Sequence, residues 1–356
     1  MYPHLIKNMT KTAHIGNLKI GSKYPVRIKG MLKGSLEDKP ALLEEAKGLE
    51  NEGAEAIRVA VKQPDESQIV HYLKKHIKVP LVADIHFNYR LALEAIENGF
   101  DAIRLNPLNI RRTNEIQEVA RKAQKAKNSI RVGVNSGGFK KDFSSDMEHA
   151  KAMVKSVIDF IRILEREDFF NITVSLKAST IRATILANRL FAKKSEYPLH
   201  LGVTATGPFL EGVVKSSMGI GVLLEEGIGN IIRVSLTAPS FWEIRIAKFI
   251  AQFLNMRKFG PELISCPTCS RCQVDLIKIV DNFQKEIKRL HENGQLLPSK
   301  IALMGCEVNG PGEAYQADIG VAFGKNKGII FKKNKILGSV SEENLVPELL
   351  KRMGVE

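Results

Sequence analysis

The stretch Ala54-Glu55-Ala56-Ile57-Arg58-Val59-Ala60-Val61 sets the architecture, because it reads as one short buried β-strand between two segments of helical sequence. Before it, residues 40–52 carry apolar side chains at helical spacing. After it, the next branched run occupies residues 79–85, which is again the length of a strand. Strands of this kind that alternate with helices are typical of a parallel sheet.

The same strand-and-helix unit recurs through the first part of the chain. Eight candidate strands fall at residues 24–29, 54–61, 79–85, 101–106, 130–135, 171–177, 199–204 and 231–236. Candidate helices between them fall at residues 40–52, 89–98, 148–167, 181–193 and 242–254. Eight such units over about 250 residues match a TIM (β/α)8 barrel, an α/β fold. A doubly wound open sheet is the alternative, but no Gly-x-Gly-x-x-Gly motif follows the first strand to support it.

The composition changes after residues 257–261, where a second domain begins. We predict that residues 1–258 form the substrate-binding barrel and that residues 262–356 form a smaller α+β iron–sulfur domain. In that domain the patterns predict helices at residues 271–292 and 342–352, and strands at residues 301–304, 318–323 and 328–331.

All four cysteines lie in this second domain, at Cys266, Cys269, Cys272 and Cys306. Disulfide frameworks belong to small secreted domains, and no signal peptide opens this chain, so we expect reduced thiols and a cytoplasmic protein. Cys-x2-Cys fits half of a zinc ribbon, but the second half is missing. Cys-x2-Cys-x2-Cys with a distant fourth cysteine is the spacing of iron–sulfur proteins, which we favour over zinc.

The barrel strands carry arginines among their branched residues, at Arg58, Arg104, Arg131 and Arg233. A buried guanidinium needs an anionic partner, yet Asp84 is one of few carboxylates in the strand bodies. Forked guanidinium groups suit phosphate oxygens, so the excess predicts a phosphate or diphosphate substrate. Pairing with acids inside the protein is the alternative.

Polar residues close most of the strands, where the active site of a TIM barrel lies. They are Asp84, His86, Asn106, Asn135, Lys177 and Thr204, and Lys215 follows in a glycine-flanked segment that could meet phosphate. Each of them alone could serve as a strand-end cap, but together they favour a functional site.

The chain carries a formal net charge of +14 but only 6% aromatic residues, so base-stacking platforms are scarce and charge alone does not decide the partner. No apolar run approaches the ~20 residues of a membrane span, which predicts a soluble protein. Lys325, Lys327, Lys332, Lys333 and Lys335 crowd the second domain and predict docking of an acidic electron carrier.

Several motifs together resemble those of the 4-hydroxy-3-methylbut-2-enyl-diphosphate synthase family, which acts in non-mevalonate isoprenoid synthesis. They are residues 83–90, 197–204, 231–237, Ser265-Cys266-Pro267-Thr268-Cys269 and Gly305-Cys306-Glu307-Val308-Asn309-Gly310-Pro311-Gly312-Glu313. The resemblance covers nearly the whole chain, and the two cysteine motifs in this order are highly specific.

The resemblance implies a two-electron reductive ring opening of 2-C-methyl-D-erythritol 2,4-cyclodiphosphate by a [4Fe-4S] cluster, with electrons from reduced flavodoxin or ferredoxin. It implies that Cys266, Cys269, Cys306 and Glu313 hold the cluster and that Cys272 is spare. It implies diphosphate contacts at Arg58, Arg104, Arg131 and Lys215, with Asp84, His86, Asn106 and Asn135 nearby. Glu243 matches an acid proposed to deliver protons.

The chain departs from the family pattern at the barrel mouth. Lys29-Gly30-Met31-Leu32 stands where the family usually reads Gln-Ser-Met-Thr, Ala205 stands where it has Glu, and Leu108 where it has Gly. Two other function classes stay open: a basic zinc protein that binds nucleic acid, and a non-redox barrel enzyme on a phosphorylated substrate.

Helix geometry predicts a head-to-tail homodimer. The last barrel helix, near residues 240–254, runs about 20 Å from the mouth to the opposite face at 1.5 Å per residue. The second domain therefore starts from the far end of its own barrel, so we expect its cluster to cover the mouth of another subunit.

Overall fold

The structure is a computed structural model that describes residues 9–140, 142–307, 312, 314, 315, 317–325, 327–333 and 335–354. It divides into two compact units, residues 1–258 and residues 259–356. Within the ranges just given, every helix is too short or too polar to cross a lipid bilayer.

The first unit is a parallel (β/α)8 barrel preceded by a hairpin. Its strands are β1 (Ala13–Ile15), β2 (Leu18–Ile20), β3 (Arg27–Met31), β4 (Ala56–Val61), β5 (Leu81–Ile85), β6 (Ala102–Leu105), β7 (Ser129–Asn135), β8 (Ile172–Lys177), β9 (His200–Leu201) and β10 (Ile231–Ile232). Its helices are α1 (Lys39–Asn51), α2 (Ile69–Lys74), α3 (Tyr89–Glu97), α4 (Thr113–Lys125), α5 (Asp146–Glu165), α6 (Ile181–Ala192), α7 (Phe209–Glu225) and α8 (Ser240–Phe253).

The eight barrel strands follow the order β8-β7-β6-β5-β4-β3-β10-β9. A parallel bridge between Val174 and Leu199 joins the two ends of this order, so the sheet is nearly closed. The predicted barrel is therefore confirmed, but β9 and β10 are much shorter than their branched runs. Beyond β10 the backbone N–H of Leu236 bonds the carboxylate of Glu243 rather than a neighbouring strand.

The hairpin β1–β2 closes the barrel at the amino ends of its strands. Ile15 and Ile20 of the hairpin pack in one apolar cluster with Val82, Ala102 and Ile231, which belong to three different barrel strands. The hairpin is also fixed at its side, because the backbone N–H of His14 donates to the side chain of Asn171. The interior of the barrel is thus sealed at this end.

The second unit is a five-stranded mixed sheet with two helices. It contains β11 (Glu262–Ser265), α9 (Leu276–Glu292), β12 (Lys300–Met304), β13 (Ile319–Phe323), β14 (Gly328–Lys332), β15 (Lys335–Val340) and α10 (Leu345–Met353). The strand order is β11-β12-β13-β14-β15, parallel up to β13 and antiparallel beyond it. Phe283 of α9 and Leu349 of α10 pack with Leu303 and Val321 in one apolar core.

The second unit differs from the sequence prediction at its ends. The flanking strands β11 and β15 were not predicted, because they carry little alternation and lie at the two edges of the sheet. Helix α9 begins at Leu276 instead of Arg271, because the carboxylate of Asp275 accepts the backbone N–H of Lys278 and caps the helix there.

Candidate active site

The register of the barrel strands brings the arginines to one face of the sheet. Asp84 pairs with Arg104, and Arg104 pairs with Arg131, across three adjacent parallel strands. Residues that pair in a parallel ladder point to the same side, and in this barrel that side is the interior. We call the following six side chains the cationic interior: Lys29, Arg58, Arg104, Arg131, Lys177 and Arg233.

Inward-facing glycines make room for these long side chains. A Cβ atom on Gly133 would lie 2.6 Å from Oγ of Ser175 and 3.0 Å from Nε of Arg104. A Cβ atom on Gly202 would lie 2.5 Å from Nζ of Lys177. The barrel is therefore not filled by branched side chains as most TIM barrels are, but by cations packed over small residues.

Asp84 is the acid at the centre of one side of the interior. Its carboxylate lies 3.7 Å from Nε of Arg58, 3.4 Å from Nη1 of Arg104 and 3.3 Å from Nε2 of His86. Burial alone would raise the pKa of Asp84, but Arg58, the hydrogen bond from His86 and Arg104 together hold it well below its usual range. Asp84 is therefore ionised, and it is already shared by two arginines.

Glu243 is the second buried acid, and it is only 1% exposed although it lies in the first turn of α8. One carboxylate oxygen accepts the backbone N–H of Leu236 at 2.9 Å and lies 2.8 Å from Nζ of Lys33. The other oxygen lies 4.0 Å from Nε of Arg233 and accepts no hydrogen bond from the described residues. An ordinary first-turn glutamate would be exposed, so this placement joins Glu243 to the interior.

Three cations of the interior have no acid beside them in the part of the chain that the structure describes. Nη1 of Arg131 bonds Nδ1 of His200 at 2.7 Å, and the ammonium groups of Lys29 and Lys177 make no hydrogen bond there. Burial, reinforced by the neighbouring cations, lowers the pKa of Lys29, of Lys177 and of Arg131 well below the usual values. The interior is thus an excess of buried positive charge that a bound anion would neutralise.

Exposure decreases from the mouth of the barrel to its floor. The side chain of His86 is 45% exposed and that of Arg58 is 12% exposed, whereas Arg104 and Arg131 are almost fully buried. Burial lowers the pKa of Arg233, near the mouth, to about 10. An anion that enters from the carboxyl ends of the strands therefore meets His86 and Arg58 first.

The other predicted substrate residues are placed less tightly. Asn106 is buried, but its side chain accepts the backbone N–H of Leu108, which is a turn-forming role. Asn135 ends β7 and is partly exposed. Lys215 is half-buried on α7 and carries no hydrogen bond or ion pair to any described residue.

The substrate prediction did not include Lys29 and His200, which the structure places in the interior. Lys29 lies two residues before Met31 in β3, where a lysine reads as a polar strand end. Its one signal was the inward alternation it shares with Arg27 and Met31, which pair with barrel neighbours. His200 shares the 199–204 run with Thr204, and its pairing with Ile231 turns it inward.

The thiols of the second unit lie at one edge of its sheet. Cys266 follows β11, and Cys306 follows the adjacent parallel strand β12 after one intervening residue. The sulfur of Cys266 accepts the backbone N–H of Gly305 at 3.3 Å, a contact that suits a thiolate ligand of an iron–sulfur cluster. Cys269 lies in an exposed loop, which Thr268 helps to turn with a φ of 60°.

Cys272 occupies a different place from the other thiols. Its sulfur donates to the carbonyl of Val274, and it packs so closely on Gly305 that a Cβ atom there would lie in contact with it. Within the described ranges no three His, Cys, Asp or Glu side chains converge as metal ligands. Glu313, the predicted fourth ligand, lies outside the described residues.

Two family models match this arrangement of barrel and thiol unit. The GcpE TIM-barrel domain matches residues 10–248, and the GcpE protein C-terminal domain matches residues 262–354. The chain belongs to the GcpE family.

Curated relatives span the whole GcpE chain. A protein of Thermodesulfovibrio yellowstonii is 46% identical over 98% of this chain and 99% of its own length. A protein of Caldanaerobacter subterraneus subsp. tengcongensis is 43% identical over 98% of this chain and 97% of its own length. Both are named 4-hydroxy-3-methylbut-2-en-1-yl diphosphate synthase (flavodoxin).

Solved structures resemble the barrel of this GcpE chain in fold alone. Dihydropteroate synthase from Stenotrophomonas maltophilia superposes with a TM-score of 0.53 at 14% identity, over 68% of this chain and 98% of its own. Type I 3-dehydroquinate dehydratase from Clostridium difficile gives a TM-score of 0.51 at 13% identity, over 70% of this chain and 100% of its own. At these identities neither structure carries an argument about chemistry.

Proposed function

We propose that this chain catalyses the reductive ring opening of 2-C-methyl-D-erythritol 2,4-cyclodiphosphate to 4-hydroxy-3-methylbut-2-enyl diphosphate, a step of isoprenoid biosynthesis. The observation that carries the proposal is the buried excess of cations in the barrel, in a chain that also bears the GcpE thiol unit. A nucleic-acid or zinc function would leave the charged interior without a use.

In this proposal the cationic interior binds the diphosphate. Arg131, Lys177 and Arg104 line the depth of the barrel, and Arg58 and His86 stand nearer the mouth. Asp84 fixes two of these arginines in place before the substrate arrives, so the site needs little rearrangement on binding. Asn106, Asn135 and Lys215 remain proposed contacts of the sugar and phosphate oxygens.

Glu243 is the proposed proton donor. It is buried, it faces Arg233, and one of its oxygens carries no hydrogen bond within the described residues. That oxygen is free to exchange a proton with a bound group, while the backbone of Leu236 and Lys33 hold the other oxygen and fix the carboxyl plane.

We propose that Cys266, Cys269, Cys306 and Glu313 hold a [4Fe-4S] cluster. The thiol donors suit iron, and the N–H···S contact at Cys266 is of the kind that stabilises a cluster thiolate. When bound, the cluster supplies the electrons of the reaction. A carboxylate is displaced from iron more readily than a thiolate, so a glutamate ligand would leave one iron accessible to substrate.

The electron donor in this proposal is reduced flavodoxin, with ferredoxin as the alternative. The relatives carry flavodoxin in their names. The exposed lysines Lys325, Lys327, Lys332, Lys333 and Lys335 lie on and around the β14–β15 hairpin and would attract an acidic carrier. Reduction by flavodoxin should slow markedly in high salt, and a rate that salt leaves unchanged would exclude docking by charge. We place the reaction in the cytoplasm, where thiols stay reduced.

We propose a head-to-tail homodimer through the outer faces of α7 and α8. Helix α7 exposes an apolar row at four-residue spacing, Leu210, Val214, Met218 and Val222, and α8 exposes the stacked rings of Phe249 and Phe253. Phe209 of α7 contacts Trp242 of α8, so the two helices are neighbours. Six large exposed apolar groups on adjacent helices exceed what a monomer usually leaves in water, and a second copy of the chain would cover them.

The end of the barrel domain supports the head-to-tail arrangement. Arg257 donates to the carbonyl of Val26, at the amino end of β3, so the barrel domain ends on the side away from the mouth. Mixing Arg104→Ala chains with Cys306→Ser chains should therefore restore part of the activity through hybrid dimers. If subunits demonstrably exchange and no activity returns, each site is made by one chain.

The activity itself is tested with protein purified without oxygen and with a reduced flavodoxin system. We expect conversion of the cyclic diphosphate to 4-hydroxy-3-methylbut-2-enyl diphosphate, with about four iron and four sulfide per chain. A colourless protein with stoichiometric zinc, or turnover that survives removal of iron, would overturn the proposal.

A further inference from the structure

The ammonium of Lys29 is the cation of the barrel interior with the fewest partners. The side chain is 1% exposed, and its nitrogen makes no hydrogen bond with the described residues. Both buried acids of the interior are already engaged: Asp84 with arginines and a histidine, and Glu243 with Lys33 and Arg233. Neither acid has an oxygen in contact with Lys29.

The register places Lys29 directly above the sealed end of the barrel. Lys29 pairs with Ala56 of β4, and Arg27, two residues earlier, pairs with Ile231 of the apolar cluster beneath the hairpin. Ala56 offers no bulk, so the space above it is left to the lysine chain. Lys29 therefore stands at the floor of the interior, below Met31 and Arg58.

The groups that face Lys29 are mostly cations. From the surrounding strands they are Arg58, Asp84, Arg131, Lys177 and Arg233, so four positive groups stand against one acid. A guanidinium cannot give up its proton at physiological pH, but a lysine amine can. In the ligand-free protein the repulsion is therefore relieved at the lysines, and the lowered pKa of Lys29 agrees with this.

We propose that Lys29 is a contact for the bound anion at the floor of the barrel and that it takes up a proton as the anion binds. The inference rests on the proposed diphosphate site and adds a residue to it. An incoming diphosphate brings negative charge next to the amine, which restores the protonated form and makes a charge-assisted hydrogen bond. The family usually has glutamine at this position, so the proton-coupled contact would be a property of this chain.

The test is calorimetric titration of inorganic pyrophosphate into the full-length protein at pH 7.5, in buffers of different ionisation enthalpy. The dependence of the apparent enthalpy on the buffer gives the protons exchanged on binding. Wild type is compared with Lys29→Gln and Lys29→Met, and with Lys47→Gln on the outward side of α1 as the matched control. The difference between variants cancels the proton exchange of pyrophosphate itself.

We expect both Lys29 variants to weaken pyrophosphate binding roughly ten- to hundredfold and to reduce proton uptake by about one. Lys47→Gln should behave as wild type. Thermal unfolding without ligand checks the fold, and neither Lys29 variant should melt below wild type because a buried unpaired amine has been removed.

The outcomes separate this inference from the proposed function. If wild type does not bind pyrophosphate, the diphosphate site itself is wrong. If wild type binds and both Lys29 variants bind equally well, Lys29 is no ligand contact although the proposed function stands. If the variants bind weakly but exchange as many protons as wild type, the contact is retained and the proton coupling is overturned.

Discussion

The barrel interior and the thiol edge of the second unit are built in opposite ways. The interior takes its charged groups from the strand bodies and strand ends of a barrel, in fixed register, and the deepest of them are almost wholly buried. The thiol edge takes its cysteines from loops after two strands, and they range from buried Cys306 to exposed Cys269. One site exists before its ligand arrives, whereas the other depends on its ligand to bring the donors together.

The difference teaches where each site stores its free energy. The interior holds repelling charges in place with the stability of the barrel, so ligand binding relieves a cost that folding has already met. A site of loop thiols has no such reserve, and metal binding is then coupled to the ordering of the loops. Substitutions in the two places should therefore separate cleanly in their effects.

The largest effect is expected for Cys306→Ser. This serine removes a proposed thiolate ligand, so the protein should lose most of its iron and sulfide and turnover should be abolished. Binding of pyrophosphate to the barrel should stay within about twofold of wild type, because no described contact joins Cys306 to the interior. Metal analysis and calorimetry on one preparation check both halves, and a loss of pyrophosphate binding would show that the two sites are not independent.

Next comes Arg131→Met, which removes a buried guanidinium whose sole hydrogen-bonded side chain among the described residues is His200. We expect pyrophosphate affinity to fall roughly a hundredfold, while iron content is unchanged. Arg112→Met, at an arginine that is 80% exposed, is the matched control. Equal affinity in wild type and Arg131→Met would mean that the anion does not reach this depth.

A smaller effect is expected for Gly202→Ala. The new Cβ would lie 2.5 Å from Nζ of Lys177 and 2.6 Å from the carbonyl oxygen of Arg233. The lysine end can move, but the backbone cannot, so the free energy of unfolding should fall by about 1–3 kcal/mol. Gly48→Ala in α1, where a Cβ meets nothing within 4 Å, should instead be neutral or stabilising. Urea unfolding measures both, and equal stability of the two variants would contradict the close packing.

The pH dependence of stability provides a finer test of the interior. The pKa of Lys29 is lowered in the folded state from its usual 10.5, so between the lowered value and 10.5 the unfolded chain binds more protons. Stability of the ligand-free protein should then rise with pH, by at most about 1.4 kcal/mol per unit from this group. The stability advantage of Lys29→Gln over wild type should shrink from pH 7 to pH 9.5 in urea unfolding, and an advantage that grows would reverse the sign.

The smallest effect is expected for Cys272→Ser. The sulfur of Cys272 donates to the carbonyl of Val274 and packs on Gly305, a bond that a serine hydroxyl can also make. Iron content and turnover should therefore stay within about twofold of wild type. Loss of the cluster in this variant would make Cys272 a ligand and would remove the need for Glu313.

The sequence predicted the parts of the molecule that depend on regular alternation. The strand around Arg58 and its repeats gave the barrel, and the scarcity of acids near Arg104 and Arg131 predicted an anion site. Lys29 escaped because a polar residue near a strand end has the same pattern whether it points in or out. Only the pairing of Lys29 with Ala56 shows its direction.

Other features depend on contacts that no pattern contains. Asn106 has the residue type of a substrate contact, yet its side chain is used by the backbone of Leu108. Glu243 looks like an exposed first-turn residue, and its burial follows from the chain beyond β10 folding back onto it. The edge strands β11 and β15 have too little alternation to be recognised before their neighbours are known.

The hairpin beneath the barrel governs traffic through the site. Because Ile15 and Ile20 seal the amino ends of the strands, the interior is a blind sac with one doorway. Whatever enters past His86 must leave past it, in the reverse direction. Product and fresh substrate therefore compete for the same passage, and any cover that shields the mouth during reaction has to withdraw once in every cycle.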